Sequence, residues 1–544
     1  MIFTPLWPEW RLLNSRRPLK PRLRAVLHVN LLGLVLASGL GHAQGNTKPV
    51  LAVAEPALRA LDARSFMQMV VAQNLEVKYS RLSLDVSRRL EGAEQSLYEP
   101  VFFGNLRREG RERQRSIDEM QTYASGKSLL EETVSTTEMG IRGKLPTGAE
   151  LSLSYKATQK ANNLIPQYSF GFLDTEHNGL LSLTVRQPLL RNAGRSVIET
   201  DLRIAELEQR IATAQLVQQT QKVSIDGLNL YWQLHKAQQS VYMRQEAVTT
   251  SAALLTDAQS RVDAGKTPPS AVAELQAAVL GRQADLLRSE QALQEARSKL
   301  MTTINLIWAP HVQIATQPTS FSQWRAPSED SPVDFETALG AWSPYVIALL
   351  RQQQAQIRLN FASNQKKPNL ELLMGYSPTG LAYTRDQADQ TTLGGRYPEW
   401  YVGLNLELPA RGNQRAEQQF QAQVARTEQA ALELQAIRNS FANDLSLRLA
   451  DVKSAHDAVR LGGADLKLRE DIFANEQQRV KLGSGSVSNL IQKQSEWLEA
   501  RQRLLENQVR GEIASSLLQY TEGKLLAEHG ILIDDAKTLP HQPP

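Results

Sequence analysis

The stretch RVDAG at residues 261–265 ends a run of about seventy helix-forming residues, and RVKLG at 479–483 ends a second such run 218 positions later. With the two tips superposed, residues 261–300 match 479–518 at Arg261, Val262, Gly265, Ser270, Gln276, Leu280, Leu286, Leu287, Ala296, Ser298 and Leu300. Eleven identities in forty positions without a gap indicate an internal duplication. In each copy a helical segment of about 33–36 residues (63–98 and 334–366) stops near Pro100 or Pro368, extended sequence follows, and a long run rich in Ala, Gln, Glu, Leu and Arg comes next (195–262 and 413–481). After the glycine interruption a shorter helix returns, at 270–305 and 487–523. At 1.5 Å per residue each long helix spans roughly 100 Å, matched by its two short partners laid end to end. A rod of that length is not a globular core. Gly265 and Gly483 suit the left-handed residue past a helix end, Ser270 and Ser488 are placed to cap the returning helix, and Pro268 and Pro269 keep the first turn from continuing.

Between the short and the long helix the hydrophobic period changes from about 3.6 to 2, in MGIRGKL (139–145), LSLSYKA (151–157), LLSLTVR (180–186) and YVGLNLEL (401–408). Each set closes at a proline, Pro188 or Pro409. The neighbouring helices are committed to a rod and offer no core for these strands to face. Their alternation therefore reads as a transmembrane β-barrel wall. Four to six strands are too few to close, so closure needs several copies of the chain. Trp400, Tyr401 and Tyr397, and Tyr98, Phe102 and Phe103, are candidate interface aromatics, with ordinary packing as the competing role. The segment from about 135 to 158, strand, LPTG turn and strand, has no counterpart between Tyr376 and Tyr397. It supplies either an additional membrane hairpin or an extracellular cap.

The chain has 544 residues, 42% of them hydrophobic and 22% charged, with a formal charge of +4. That excess sits at the start: Arg11, Arg16, Arg17, Lys20, Arg22 and Arg24 face only Glu9 within residues 1–43, which leaves 55 basic and 56 acidic residues beyond. A nucleic-acid-binding surface has no support in such a balance. A basic stretch, an apolar run from Ala25 to Leu40 and small residues at Gly41-His42-Ala43 mark 1–43 as a secretory signal cleaved between Ala43 and Gln44; the apolar run is short for a membrane span. Cysteine is absent, which removes disulfides and thiolate metal sites. The histidines at 177, 235, 311, 456, 529 and 541 form no HExxH arrangement, and GSGS at 483–486 lacks the lysine of a phosphate loop. No catalytic, cofactor or metal site is expected.

The ordered set of landmarks, YEP (98–100) and KKP (366–368) opening the strands, RQPLL (186–190) leading into the first long helix, and RVDAG and RVKLG at the tips, resembles the TolC-like outer-membrane efflux proteins over roughly residues 63–527. The resemblance implies a mainly α fold with a membrane β-barrel part, in which two repeats build a long helical-hairpin tunnel in the periplasm and a homotrimeric barrel in the outer membrane. It implies a passive export duct of a tripartite efflux or type I secretion system, bound to outer-membrane lipid, a periplasmic adaptor and an inner-membrane pump of the RND, ABC or MFS type. A periplasmic coiled-coil scaffold or tether is the alternative, but it needs neither leader nor strands. The implied division is a signal peptide (1–43), an extension (44–62), a first repeat (63–305, strands about 100–188, tip 261–270), an equatorial linker (306–333), a second repeat (334–530, strands about 368–409, tip 479–488) and a tail (531–544). Arg261, Val262, Gly265, Ser270, Arg479, Val480, Gly483 and Ser488 are the expected adaptor-docking tips. Where relatives of that family carry a locking Tyr and Arg and two constricting Asp residues, this chain has Val480, Gly485, Asn489 and Gln492, and the first-copy Asp partner falls at Ala271. Lock and acidic ring are both missing, and Glu496 is the candidate for a weaker ring.

Overall fold

A computed structural model describes residues 62–122, 128–163, 175–266, 268–305, 316, 334–410 and 412–533. The expected signal peptide, its Ala43/Gln44 cleavage site, most of the 306–333 linker and the tail beyond 533 lie outside the described residues. In chain order the elements are α1 (Ala63–Gln73), α2 (Leu75–Gln95), β1 (Val101–Gln114), α3 (Ile117–Thr122), β2 (Leu129–Lys144), β3 (Glu150–Asn162) and β4 (Thr175–Pro188). Next come α4 (Arg195–Ile198), α5 (Thr200–Asp263), α6 (Ser270–Thr303), α7 (Phe335–Ala341), α8 (Ser343–Gln365), β5 (Asn369–Ala382) and α9 (Arg385–Leu393). The chain finishes with β6 (Tyr397–Glu407), α10 (Gln414–Lys481), α11 (Val487–Thr521) and α12 (Leu525–Glu528).

The long helices α5 and α10 have 64 and 68 residues, so each is about 100 Å long. Their partners come in two pieces, and here the structure differs from the single short helices expected over 63–98 and 334–366. Asn74, extended at φ −61° and ψ 131°, separates α1 from α2, because its side chain accepts hydrogen bonds from the amides of Glu76 and Val77 and starts a new helix. Trp342, extended in the same way, separates α7 from α8. Asn74 also donates from Nδ2 to the carbonyl of Thr303, 3.2 Å away, so α2 begins where α6 ends. In the second repeat Gly523, just past α11, lies against Ala341 at the end of α7. Four helical columns result, α2 over α6, α5, α8 over α11, and α10.

The core concentrates at these junctions. Phe66, Val70, Leu216, Tyr231, Trp232, Leu300, Ile304 and Val509 form one buried cluster, and Leu339, Phe441, Leu445, Val452 and Leu518 form its counterpart in the second repeat. Thr316, the described residue of the linker, rests here. Gln238 Oε1 accepts from its amide at 3.1 Å, and its hydroxyl stands 3.0 Å from His235 Nδ1.

The strands form one antiparallel sheet in the order β1-β2-β3-β4-β5-β6. The segment expected over 135–158 is a full hairpin, β2 and β3, inside that sheet, and not a cap. In the single chain β1 and β6 are open edges. Asn74→Ala removes two accepted bonds and one donated bond at the waist; a loss of about 1 kcal/mol in unfolding free energy is expected, with Asn74→Ser intermediate, measured by thermal melting of the helical circular-dichroism signal.

Candidate functional site: the helical tips and the two faces of the sheet

Both tips end in the same backbone device. The amide of Gly265 donates to Val262 O at 2.9 Å and that of Lys266 to Arg261 O at 2.9 Å, while Gly483 and Ser484 repeat the pattern on Val480 O and Arg479 O at 3.1 and 3.0 Å. Gly265 and Gly483 have φ of +71° and +77°, the left-handed position that this termination requires. The serines behave otherwise than expected. α6 starts at Ser270 itself after Pro269, and α11 starts at Val487 after Ser486, so Ser270 and Ser488 already lie inside the helices and neither caps. The fixed φ of Pro269 sets the first of these boundaries.

The two arginines of the repeated motif do different work. Arg261 reaches across to the other tip, donating from Nη1 to Val480 O at 2.6 Å while pairing with Asp257 at 3.0 Å. Arg479 folds back on its own tip, pairing with the buried carboxylate of Glu476 at 3.0 Å. Gly485 packs under these groups, since a β-carbon there would fall 2.8 Å from the Val480 nitrogen and 3.0 Å from Glu476 Oε1. Leu254, Ala258, Leu275, Phe473 and Leu490 clamp the two tips together just above, with Val480, Val487 and Trp497 around them.

At the expected constriction, Ala271 is buried, Asn489 half-buried and Gln492 exposed. Gln492 donates to Glu496 at 3.1 Å. Glu496 is not the free carboxylate of an acidic ring. Lys493 lies 3.2 Å and Arg469 3.1 Å from it, and the Lys493 and Gln492 bonds with those cations hold its pKa below the usual glutamate value.

The register of the sheet defines two faces. One row runs Phe102–Ile141–Leu153–Leu183–Tyr376–Trp400 across all six strands. Its face also holds Leu106, Met139, Leu151, Tyr155, Val185, Met374, Val402 and Leu404; the charged strand residues on it are Arg108, Glu112 and Glu131, all toward the end remote from the long helices. The opposite face carries eight basic residues, Arg107, Arg111, Arg113, Arg142, Lys144, Lys156, Lys160 and Arg186, and eight acidic ones, all glutamate, at 109, 132, 138, 150, 176, 371, 399 and 407. Arg186 and Glu371 pair on it at 2.7 Å, and Lys160 and Glu132 at 3.3 Å. The row starts one residue above the helix-side end of β1 and stops seven above that end of β6. A stagger of six residues over the five steps between six strands corresponds, in a closed barrel, to a strand tilt of about 35–40°.

These faces correct the aromatic assignments. Neighbours in a strand point to opposite sides, so Trp400 and Phe102 lie on the apolar face, 73% and 79% exposed, while Tyr397, Tyr401 and Phe103 lie on the polar one. Tyr401 and Phe103 cover Gly375 and Gly140 on the neighbouring strands. Tyr98 precedes the sheet and hydrogen-bonds Glu199 at 3.2 Å. Reasoning from sequence missed α9, a polar helix lying over β4 and β5 on the apolar face through Thr392 and the bond from Tyr155 to Asp389.

Two further surfaces are bare. Leu75, Tyr79, Leu82, Val86 and Leu90 make a heptad-like stripe along α2, 57–75% exposed, continued by Leu280 and Leu287 on α6. On α10, Leu432, Leu447, Leu461, Leu468 and Ile472 are exposed in turn. α2 leads into the free edge β1, and the free edge β6 leads into α10. Each flank of the chain is thus one continuous unpartnered seam.

No protein-family model and no curated protein sequence matches the chain. Among solved structures, the outer-membrane channel OprN aligns with a TM-score of 0.59 at 13% identity, over 85% of this chain and 90% of that one. The outer membrane protein VceC from Vibrio cholerae aligns at 0.56 and 13%, over 85% and 96%. The open-state MtrE outer membrane channel of Neisseria gonorrhoeae aligns at 0.58 and 13%, over 85% and 89%. The fold is that of the TolC-like outer-membrane channels, two helical-hairpin repeats carrying a strand sheet.

Arg261→Ala is expected to loosen the tips and Arg479→Ala to leave their separation unchanged. Spin labels attached through cysteines at Lys266 and Leu482, in a chain with no cysteine of its own, measure this: the distance distribution broadens in the first variant only.

Proposed function

We propose that the protein is the outer-membrane channel-tunnel of a tripartite efflux or type I secretion system, a passive duct assembled from three copies. The observation that carries this reading is the seam. The left flank of one copy, β1 above and α2 over α6 beneath it, meets the right flank of the next, β6 and α10. β1 and β6 run in opposite directions, so every copy adds an even number of antiparallel strands, and head-to-tail addition closes a ring. Closure covers both leucine stripes and pairs every edge amide, as lipid requires. The apolar face then meets lipid and the balanced polar face lines water. On β5 the apolar positions from Leu370 to Pro378 cover about 22 Å of height at this tilt, close to the apolar band of outer-membrane barrels.

The division into a first repeat (63–305) and a second (334–530) follows the same logic, with the tips at the end remote from the membrane. There Arg261, Val262, Gly265, Ser270, Arg479, Val480, Gly483 and Ser488 receive a periplasmic adaptor, which joins the duct to an inner-membrane pump. Gly485, Asn489 and Gln492 border the constriction, with Glu496 already neutralised by its neighbours. A scaffold or tether is not favoured, because it has no use for two chemically distinct sheet faces.

Two measurements test this. Purified from outer membranes, the protein should run as a heat-dissociable trimer and conduct ions in planar bilayers; a monomer without conductance removes the channel reading. Trivalent cations added at the tip side should block that conductance weakly, and Asn489→Asp with Gln492→Asp should tighten the block by at least tenfold.

A further inference from the structure

The two repeats differ in one respect. In the second, β5 and β6 are joined through α9 alone; in the first, β1 and β4 hold the corresponding places, but α3 is followed by the β2–β3 hairpin before β4 begins. The hairpin is built into the wall over its full height. Its turn at the helix side is pinned where α4 and α5 begin: Thr147 O accepts from the Gly194 amide at 3.1 Å and from Gln187 Nε2 at 3.2 Å, and its hydroxyl donates to Gln187 Oε1 at 2.9 Å. Gly148, at φ +91°, makes that turn possible and has Asn192, Pro188 and Ile198 around it.

The consequence is one of perimeter. Four helical columns spaced about 9.5 Å apart contribute roughly 38 Å per chain to the circumference of a tunnel. Six strands spaced 4.8 Å and tilted about 35° contribute about 35 Å, whereas four would contribute only about 23 Å. At this tilt the six-strand figure matches the tunnel, and four strands would force a taper where the conduit enters the membrane.

We infer that the hairpin 129–162 sets the bore of the exit: three copies form an 18-stranded barrel as wide as the helical tunnel, and the duct serves bulky hydrophilic cargo that the barrel sorts by size and not by charge. This rests on the channel reading above. Eighteen strands give a barrel about 34 Å across its backbone and about 24 Å between lining side chains; twelve give about 23 Å and 13 Å. The equal numbers of acidic and basic residues on the lining face leave no net field to select ions.

The test uses the assembled trimer in liposomes with a single cysteine introduced at Ser182, which lies midway along β4 on the lining face. Maleimide-tipped uncharged polymers of graded size are applied from the barrel side. The full chain should be labelled by polymers up to about 24 Å wide, and a variant lacking residues 129–162, in which β1 runs directly into the β4 position as β5 does into β6, only up to about 13 Å. Equal cut-offs in a conducting pair of trimers overturn the inference alone, while a trimer that forms no pore overturns the channel reading as well. If the shortened chain does not assemble, the density map of the unaltered trimer decides: eighteen wall strands support the inference, and twelve, with the hairpin outside the wall, refute it.

Discussion

Every backbone amide and carbonyl of a sheet placed in hydrocarbon must find a partner within the protein, because lipid offers none. Most of this architecture follows from that requirement. Six strands leave two unpaired edges, so in the proposed channel the chain is complete only as a member of a ring. The same ring brings the helical flanks together and covers leucines that a lone copy leaves in water. On the proposed reading, assembly, membrane insertion and tunnel formation are one event energetically, since none of the surfaces involved is satisfied without the others.

The pseudo-repeat explains how one sequence supplies both walls and rods. Duplication gives two long helices and two returning ones, each pair ended by the same glycine turn, and two differences between the copies bear on the architecture. One is at the tips, where Arg261 spans to the other repeat and Arg479 does not. Another is at the wall, where the first copy carries twice as many strands as the second.

Much of this was legible in the sequence, and the failures have physical causes. The long helices, the tips and the alternating strands announce themselves through periodicities that nothing else in the chain contradicts. The glycines at 265 and 483 were readable because positive φ excludes nearly every other residue. Ser270 and Ser488 misled, since a hydroxyl near a helix start has the right chemistry for a cap whether or not the boundary falls one or two residues earlier. Asn74 and Trp342 were missed because an extended residue inside an otherwise helical run leaves no compositional trace. The aromatic residues at 397 and 401 are candidates for the membrane interface or for packing by type, whereas strand parity, which only the register fixes, decides their direction. Glu496 has one partner legible at helical spacing, Lys493 three residues earlier, and a second, Arg469, that only the packing of another helix supplies.

The break at Asn74 and Trp342 has a mechanical meaning. In each half of the molecule one helix is a continuous beam about 100 Å long, and the one beside it is two beams butted together at the waist. Such a pair is stiff above and below the joint and compliant at it, because bending there parts side-chain contacts and a capping bond while the helical ladder of each piece stays intact. In the proposed channel that joint, at the level of Phe66, Tyr231 and Phe441, is the fulcrum about which the lower halves, which carry the tips, would turn as levers beneath the upper halves.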